Sequence, residues 1–570
     1  MGIGQLVSGL TVRQGAPWAV VGEAAINLAP PPVKNFAISA FGSNDKNVLV
    51  AGILVVLAIF AAVVGVLALR RLAYGYLGLA IFAAVGVAAA ISLPKANLGW
   101  AAPTVFGALV AAFFLTKLTQ RALAATAAPV AIPPPAAAEP PGEPVPDTEA
   151  DPEADPGGPS ASPSAGTVSP ASASAWTRSG TQDPADGVDD PWTPHEPAPA
   201  GPPPETWTYR PLDRTGRRRF LVASGLAVGT TAVAAFAGRE LNARQSVTQA
   251  RSSVRLPKAT DPAPPLPAGV DLKIPNLSPF VTSNTSFYRV DTAIVLPQVP
   301  STSWSLRIHG MVRKEIQISF KELLRRPLIE DYITLCCVSN PVGGPYVGNA
   351  RWLGASVASL LREAGIRAGA DQLLCTSADG FTSGTPIQTV MDGRDAMLAV
   401  AMNGTALPVA HGFPVRLVVP GLYGYVSACK WITDIEVTTF AANHAYWTVR
   451  GWDQQAPIKT ESRIDVPNGL TTLRPGRIAV AGVAWAQHKG IAAVEARVDG
   501  GPWHEARLAA VPDIDTWRQW VWEWEAAPGR HLIQARATDK TGYTQTAVLA
   551  QPAPNGASGY PAVSVIIDSA

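Results

Sequence analysis

Two adjacent cysteines, Cys336 and Cys337, end the apolar run Ile333-Thr-Leu-Cys-Cys-Val-Ser-Asn340, just before a loop rich in Pro and Gly. Only four cysteines occur in 570 residues, so a pair at one place needs a physical reason. Neighbours on a strand point to opposite faces, and at most one of the two can serve a given pocket. A disulfide between them is awkward, because their side chains diverge. Two readings stand at this point: both thiols pack as small hydrophobes, or one is a thiolate ligand for a soft metal centre. Spacing alone does not separate them.

Three later segments also carry chemical side chains. Ser377-Ala-Asp-Gly-Phe381 puts the Asp379 carboxylate in a turn. His411-Gly-Phe-Pro-Val-Arg416 sets an imidazole and a guanidinium five residues apart around a Gly and a Pro. Pro420-Gly-Leu-Tyr-Gly-Tyr-Val-Ser-Ala-Cys-Lys-Trp431 is a Gly-punctuated loop that ends near Lys430. Arg and Lys beside backbone amides suit a phosphate, and a carboxylate suits the polar edge of a heterocycle. Each has a plainer reading as well: Asp379 as a turn former, His411 as a satisfied loop histidine, Lys430 as a solvated charge.

The elements that must position these groups begin near Ala263. β-like runs (Tyr288 to Leu296, Trp304 to Ile308, Ile333 to Val338, Val415 to Val419, Ile435 to Thr439) alternate with helical stretches at Phe320 to Arg325 and Ser356 to Ala364. This pattern predicts an α+β domain rather than a regular βαβ array. From about Ile458 the texture changes. Ile478 to Trp485 and Val494 to Val498 alternate strictly, and Asp499-Gly-Gly501 offers the φ > 0 residues of a hairpin turn. Trp520, Trp522 and Trp524 share one face of a strand. Short strands at close spacing predict an immunoglobulin-like sandwich, with the tryptophans in its core or at a subunit interface.

Composition describes the rest. The chain is 47% hydrophobic and 15% charged, with 53 Pro and 50 Gly, which points to membrane segments and an unfolded stretch beside folded domains. Val48 to Leu69, Leu72 to Leu93 and Trp100 to Leu118 are each read as a bilayer span. Arg70-Arg71, Lys117 and Arg121 place the first turn and the end of the third span in the cytoplasm. No histidine precedes His195, so these spans cannot hold a haem through axial imidazoles. Residues 124–212 are Pro-, Ala- and acid-rich, the composition of a disordered spacer. Thr215-Gly-Arg-Arg-Arg-Phe-Leu221 opens a fourth apolar run, either a span with a basic flank or a twin-arginine-like export signal. Either way, the residues after about 240 are placed outside the cytoplasm. A net charge of +2, with no basic stripe, argues against nucleic-acid binding.

Taken in order, Thr-Leu-Cys-Cys-Val-Ser-Asn340, Ala-Arg-Trp-Leu-Gly354, Ser-Ala-Asp-Gly-Phe381, His-Gly-Phe-Pro-Val-Arg416 and Lys-Trp431 resemble the sulfite oxidase family of molybdopterin enzymes. Val498-Asp-Gly-Gly-Pro-Trp503 and Trp517 to Trp524 resemble that family's dimerisation domain. The resemblance covers roughly residues 275 to 550. It implies a molybdenum–molybdopterin cofactor with Cys337 as the metal ligand and Cys336 as its packing neighbour. It implies that Phe287, Tyr288 and Arg289 form an early cofactor-contacting strand. It implies too that Asp379, His411 and Arg416 hold the pterin and its phosphate, and that Lys430 closes the last loop. One departure touches the substrate. The family's arginine after the cysteine is missing, since Pro341-Val-Gly-Gly-Pro345 follows and the next arginine is Arg351. Arg450 and Lys459 are candidate substitutes.

These readings predict an α+β sulfite-oxidase-like domain followed by an immunoglobulin-like sandwich and preceded by transmembrane helices. The expected divisions are 1–47 (role unread), 48–123 (three spans), 124–212 (linker), 213–240 (twin-arginine-like motif and fourth span), 263–455 (molybdopterin domain) and 456–570 (sandwich). The expected activity is oxygen-atom transfer on a small-molecule substrate by a multi-pass cell-membrane enzyme with its catalytic domain on the extracytoplasmic side. No haem is expected in this chain, so a separate electron-transfer partner is, and a homodimer through the sandwich is open. The rival readings are a reductase of a sulfoxide or similar oxo group, and a non-enzymatic extracellular binding module.

Overall fold

In hydrocarbon every backbone polar group must be satisfied within its own segment, so an apolar run of bilayer length folds as a helix. The computed structural model describes residues 2–11, 16–30, 33, 36, 40–41, 45–93, 98–126, 214–244, 247–469 and 471–569. The expected linker lies almost wholly outside them. Two helices absent from the sequence reading come first, α1 (Gly2–Leu10) and α2 (Pro17–Leu28). Then follow α3 (Asp45–Arg70), α4 (Leu72–Ser92) and α5 (Ala102–Thr126). By length and composition, three stretches are able to cross a membrane: Lys46–Arg70, Leu72–Ser92 and Leu98–Leu123. The helix α6 (Arg214–Arg244) carries the twin-arginine-like segment at its start, and its apolar part, Leu221–Ala237, is shorter than these.

Residues 305–438 form two five-stranded sheets. One runs β2 (Ile316–Ser319), β1 (Ser305–Gly310), β10 (Ile432–Thr438), β5 (Gln372–Ser377) and β6 (Thr382–Pro386). The other runs β3 (Leu328–Cys336), β4 (Val347–Ser356), β7 (Met397–Met402) and β8 (Thr405–Ala406), with β9 (Arg416–Val418) paired on β7. Only β1 and β10 are parallel, so the class is α+β. The helix α7 (Val357–Ala364) is capped by the Ser356 hydroxyl, which accepts from the Ser359 amide, and it packs Leu360 and Leu361 into the core. The expected strand Tyr288 to Leu296 is instead irregular backbone. Its polar groups are turned to side chains of other segments, as described below, and not to a strand partner.

The sandwich packs a four-stranded sheet, β11 (Glu461–Val466), β13 (Gly476–Trp485), β17 (Arg518–Ala526) and β16 (Arg507–Leu508), on a five-stranded one. The second sheet runs β12 (Thr472–Leu473), β19 (Ala562–Ile567), β18 (Gly529–Asp539), β14 (Ile491–Val498) and β15 (His504–Glu505). Trp520 and Trp524 are buried between the sheets, with Trp522 at the edge of the same cluster. Asp499 and Gly500 take the positive φ expected of the turn after β14. The two folded parts meet across a buried seam. Thr334 in β3 accepts from the Trp517 amide at 2.7 Å through its hydroxyl, and from Gln487 Nε2 at 2.8 Å through its carbonyl. The sandwich thus holds the strand that delivers the cysteine pair.

Candidate active site

From Asp331 to its end β3 is buried on both faces, as suits a strand covered on each side. Its end separates the two thiols. Cys336 is fully buried in the main core, while Cys337 lines a cavity of about 620 Å³. The loop after it is self-bonded: the Cys337 amide donates to Tyr346 O at 2.9 Å, and the Tyr346 amide donates to Asn340 Oδ1 at 2.8 Å. Burial pushes the Cys337 thiol up, while the Ser339 amide and hydroxyl, hydrogen-bonded to it, act the other way.

All eight expected site residues line this one cavity: Phe287, Tyr288, Arg289, Cys337, Asp379, His411, Arg416 and Lys430. Phe287 stacks on Tyr288 with 5.2 Å between ring centres and meets His411 edge-on at 5.6 Å. Asp379 accepts from the Phe381 amide at 3.1 Å, which orders the turn it sits in. His411 Nε2 lies 3.0 Å from the Asn284 carbonyl, so that nitrogen carries the proton and Nδ1 is an acceptor. Burial, with Arg416 nearby, pushes the His411 imidazole down to about 4 and keeps it neutral. Gly412 makes the corner. Its φ is 107°, and a Cβ there would stand 3.0 Å from that of Arg416 and 3.2 Å from that of Lys430.

Arg416 is only 5% exposed. It donates to the carbonyls of His411, Ala428 and Leu417 at 3.2, 3.3 and 3.4 Å and lies 5.1 Å from the Trp352 ring centre. Among the described residues no carboxylate pairs with it. Burial brings it down to about 10. Lys430 is buried too, and its Nζ donates to Asp291 Oδ2 at 2.6 Å. Burial lowers it to about 8 against the pull of that carboxylate.

Sequence reasoning missed the hub of these charges. Asp291 takes Lys430, Lys46 Nζ at 2.6 Å and Arg289 Nε at 2.8 Å. Burial alone would raise its carboxyl, but Lys430, Lys46 and Arg289 hold it well below the usual range. Tyr346, Tyr425, Trp447 and Trp452 also line the cavity and were not singled out. The candidate substitute cations are elsewhere: Arg450 packs on the Tyr446 ring, and Lys459 donates to Asn555 and Gly556. The next arginine after the cysteine, Arg351, is 3.4 Å from Glu330.

The family model described as "Oxidoreductase molybdopterin binding domain" matches residues 293–447. The chain is 30% identical over 169 residues to the uncharacterized oxidoreductase YuiH of Bacillus subtilis, covering 30% of this chain and 81% of that one. The chain belongs to the sulfite oxidase family. It carries an oxidoreductase molybdopterin-binding domain. It is also 29% identical over 293 residues to the sulfite oxidase of Gallus gallus, covering 43% of this chain and 62% of the relative. Against the rat mitochondrial sulfite oxidase it spans 52% of the relative's length. Among solved structures, the sulfane dehydrogenase SoxCD of Paracoccus pantotrophus matches with 22% identity and a TM-score of 0.44, over 52% of this chain and 85% of that one.

The residues present fit a molybdopterin. A buried thiol with hydrogen-bond donors at its sulfur suits a metal ligand, and a buried guanidinium without a carboxylate suits a phosphate.

Proposed function

We propose that the chain is a membrane-anchored molybdenum–molybdopterin oxidoreductase that transfers an oxygen atom to or from a small substrate. Its catalytic domain would lie on the extracytoplasmic side, exported through the twin-arginine-like segment, with its electrons exchanged with a separate partner. The observation that carries the reading is the convergence of the Cys337 thiol and the buried, carboxylate-free Arg416 on one cavity. When bound, molybdenum supplies two-electron oxygen-atom transfer. The chain's share is position and charge. Cys337 Sγ is the metal ligand, steadied by Ser339. Arg416 would hold the phosphate, with Lys430 closing the last loop beside it, and His411 Nδ1 would accept from the pterin's polar edge. Asp379 stands at the same edge, and Phe287 and Tyr288 pack the floor. A homodimer, if formed, would use the sandwich's outer surface, because Trp520 and Trp524 face inward.

The substrate side of the cavity is mixed in character. Lys46, Arg289 and Lys430 all converge on the single carboxylate of Asp291, and Tyr425, Trp447 and Trp452 supply an aromatic lining. The aromatic lining suits the apolar flanks of a sulfoxide, which makes reduction of such an oxo group at the same site the second reading.

The test is elemental analysis of protein made in a host that synthesises the cofactor. One molybdenum per chain is expected for the wild type and for Cys336→Ala, and less than a tenth of that for Cys337→Ala. A wild type without molybdenum, or a Cys337→Ala variant that keeps it, would sink the assignment.

A further inference from the structure

The helix α2 is too short to cross a bilayer: its 12 residues rise about 18 Å, against a hydrocarbon core of about 30 Å. It is wedged between the apolar helices and the catalytic domain. On one side Val20 packs with Ala90 and Leu93. On the other, a Cβ at Gly22 would come within 2.6 Å of Ile294, so backbone meets side chain closely there. Asn27 Oδ1 accepts from the Tyr446 hydroxyl at 3.1 Å, and the Glu23 carboxylate accepts from the amides of Ile294 and Val295.

This wedge builds part of the cavity that contains Cys337. Ala25 and Ile26 of α2, Ala29 just after it and Leu49 of α3 form an apolar stretch of its wall, with Lys46 and Asn47 at the polar end. The wall is therefore continuous with a helix of bilayer length and apolarity. A water-soluble ion or a protein redox partner has no use for such a surface deep in a metal cavity. A lipid-soluble redox molecule does. The chemistry also needs an acceptor or donor of two electrons, and the apolar helices have no histidine to hold a haem relay.

We propose that the wall made by α2 and the first turns of α3 docks the head group of a membrane-soluble quinone. The proposal rests on the membrane-anchored oxidoreductase reading above. Its balance closes: substrate, water and quinone give oxygenated substrate and quinol. Water's oxygen bonds to the substrate, and the substrate's two electrons with water's two protons turn the quinone carbonyls into hydroxyls. In the reductase direction quinol supplies both, and water leaves. Lys46, held by Asp291 and the Ala293 carbonyl, and Asn47 set the polar end of this wall, where the head group's carbonyl would lie. Beside them, burial and Asp379 push the Glu23 carboxyl up to about 7, which suits proton exchange near neutrality.

The experiment uses the full chain in lipid nanodiscs, photolabelled with a short-chain azidoquinone, mapped by mass spectrometry, with molybdenum counted in parallel. Labelling is expected on the α2 and α3 peptides, with at least a tenfold loss under excess unlabelled short-chain quinone and no loss under dodecane. Ile26→Trp should give a similar tenfold loss at unchanged molybdenum content. Competition in the unmutated chain decides the matter even if that variant fails to fold. Label spread along α4 and α5 and insensitive to competitor would overturn the proposal, as would displacement by dodecane, which would make the wall a lipid contact. Molybdenum without labelling sinks the quinone alone. Absence of molybdenum sinks the oxidoreductase reading and the proposal with it.

Discussion

The cavity around Cys337 and the interior of the C-terminal sandwich both bury side chains, but on opposite terms. In the sandwich the buried side chains are apolar, Val480, Val494, Trp520, Ile533 and Val565 among them. Polar groups at its margin are in part paired, as where Thr460 donates to Asp539 at 2.6 Å and Ser462 to Gln545 at 2.8 Å, while Glu461 Oε1 and the Trp520 indole nitrogen are buried without a hydrogen-bond partner among the described residues. Such an interior stabilises by area alone, roughly 25 cal/mol per Å². Around Cys337 the buried groups are Arg416, Lys430, Asp291 and a neutral His411, and their desolvation opposes folding. An interior that keeps such groups is shaped for a ligand, and the difference between the two regions can be measured.

The largest effect belongs to the sandwich. Trp520→Ala removes a fully buried indole and should cost about 3–5 kcal/mol in unfolding free energy. Denaturant titration reads the loss. Because the sandwich clamps β3 through Thr334, cofactor retention should fall only as the unfolded fraction rises. A Trp520→Ala protein of wild-type stability would mean that the tryptophan stripe is not a core.

A second effect is of opposite character, because it depends on pH. His411 titrates near 4 in the folded chain and near 6.5 when unfolded, so between those values the unfolded state binds more protons. The stability it contributes is full above about pH 6.5 and is lost as pH falls towards 4, on the order of 3 kcal/mol in all. Arg416, Lys430 and Arg289 face the ring and resist its protonation. Other buried acids, Glu461 at about 8 for one, titrate in the same scan. The readout is therefore the wild-type unfolding free energy minus that of His411→Gln, followed from pH 7.5 to 4.5. The difference should shrink as pH falls; a flat one would show that the imidazole is not held neutral.

How far the site was legible follows the same contrast. Cys337, Asp379, His411, Arg416 and Lys430 each sit in a short motif whose Gly and Pro punctuation survives in the fold as the loops around the cavity. The tryptophan stripe was legible because strand alternation is a local property. Asp291 and Lys46 were not, since 245 residues separate them and their contact exists only after α3 is set beside the catalytic domain. A lysine beginning an apolar helix reads as an ordinary membrane flank. The alternating apolar residues of Tyr288 to Leu296 imitate a strand, whereas Asp291 in their midst is fixed by three cations rather than by a neighbouring strand. The helix α2 carries no periodic signal strong enough to mark it, because its exposed and buried faces are both largely apolar.

The smallest effect tests the contrast most directly. In the cofactor-free chain Arg416 is a buried cation without a carboxylate, held by three carbonyl oxygens and the Trp352 ring. Met has similar length and no charge to desolvate. Arg416→Met should leave the cofactor-free protein as stable as the wild type, or about 1–2 kcal/mol more stable, while molybdenum retention falls at least tenfold. The orphaned carbonyls work against that gain, which is why the expected figure is small. Opposite signs in the two measurements would mark Arg416 as a group kept for its ligand against the interest of the fold. If Arg416→Met destabilised the cofactor-free chain by as much as Trp520→Ala does, the guanidinium would be a structural core residue and the two interiors would be alike.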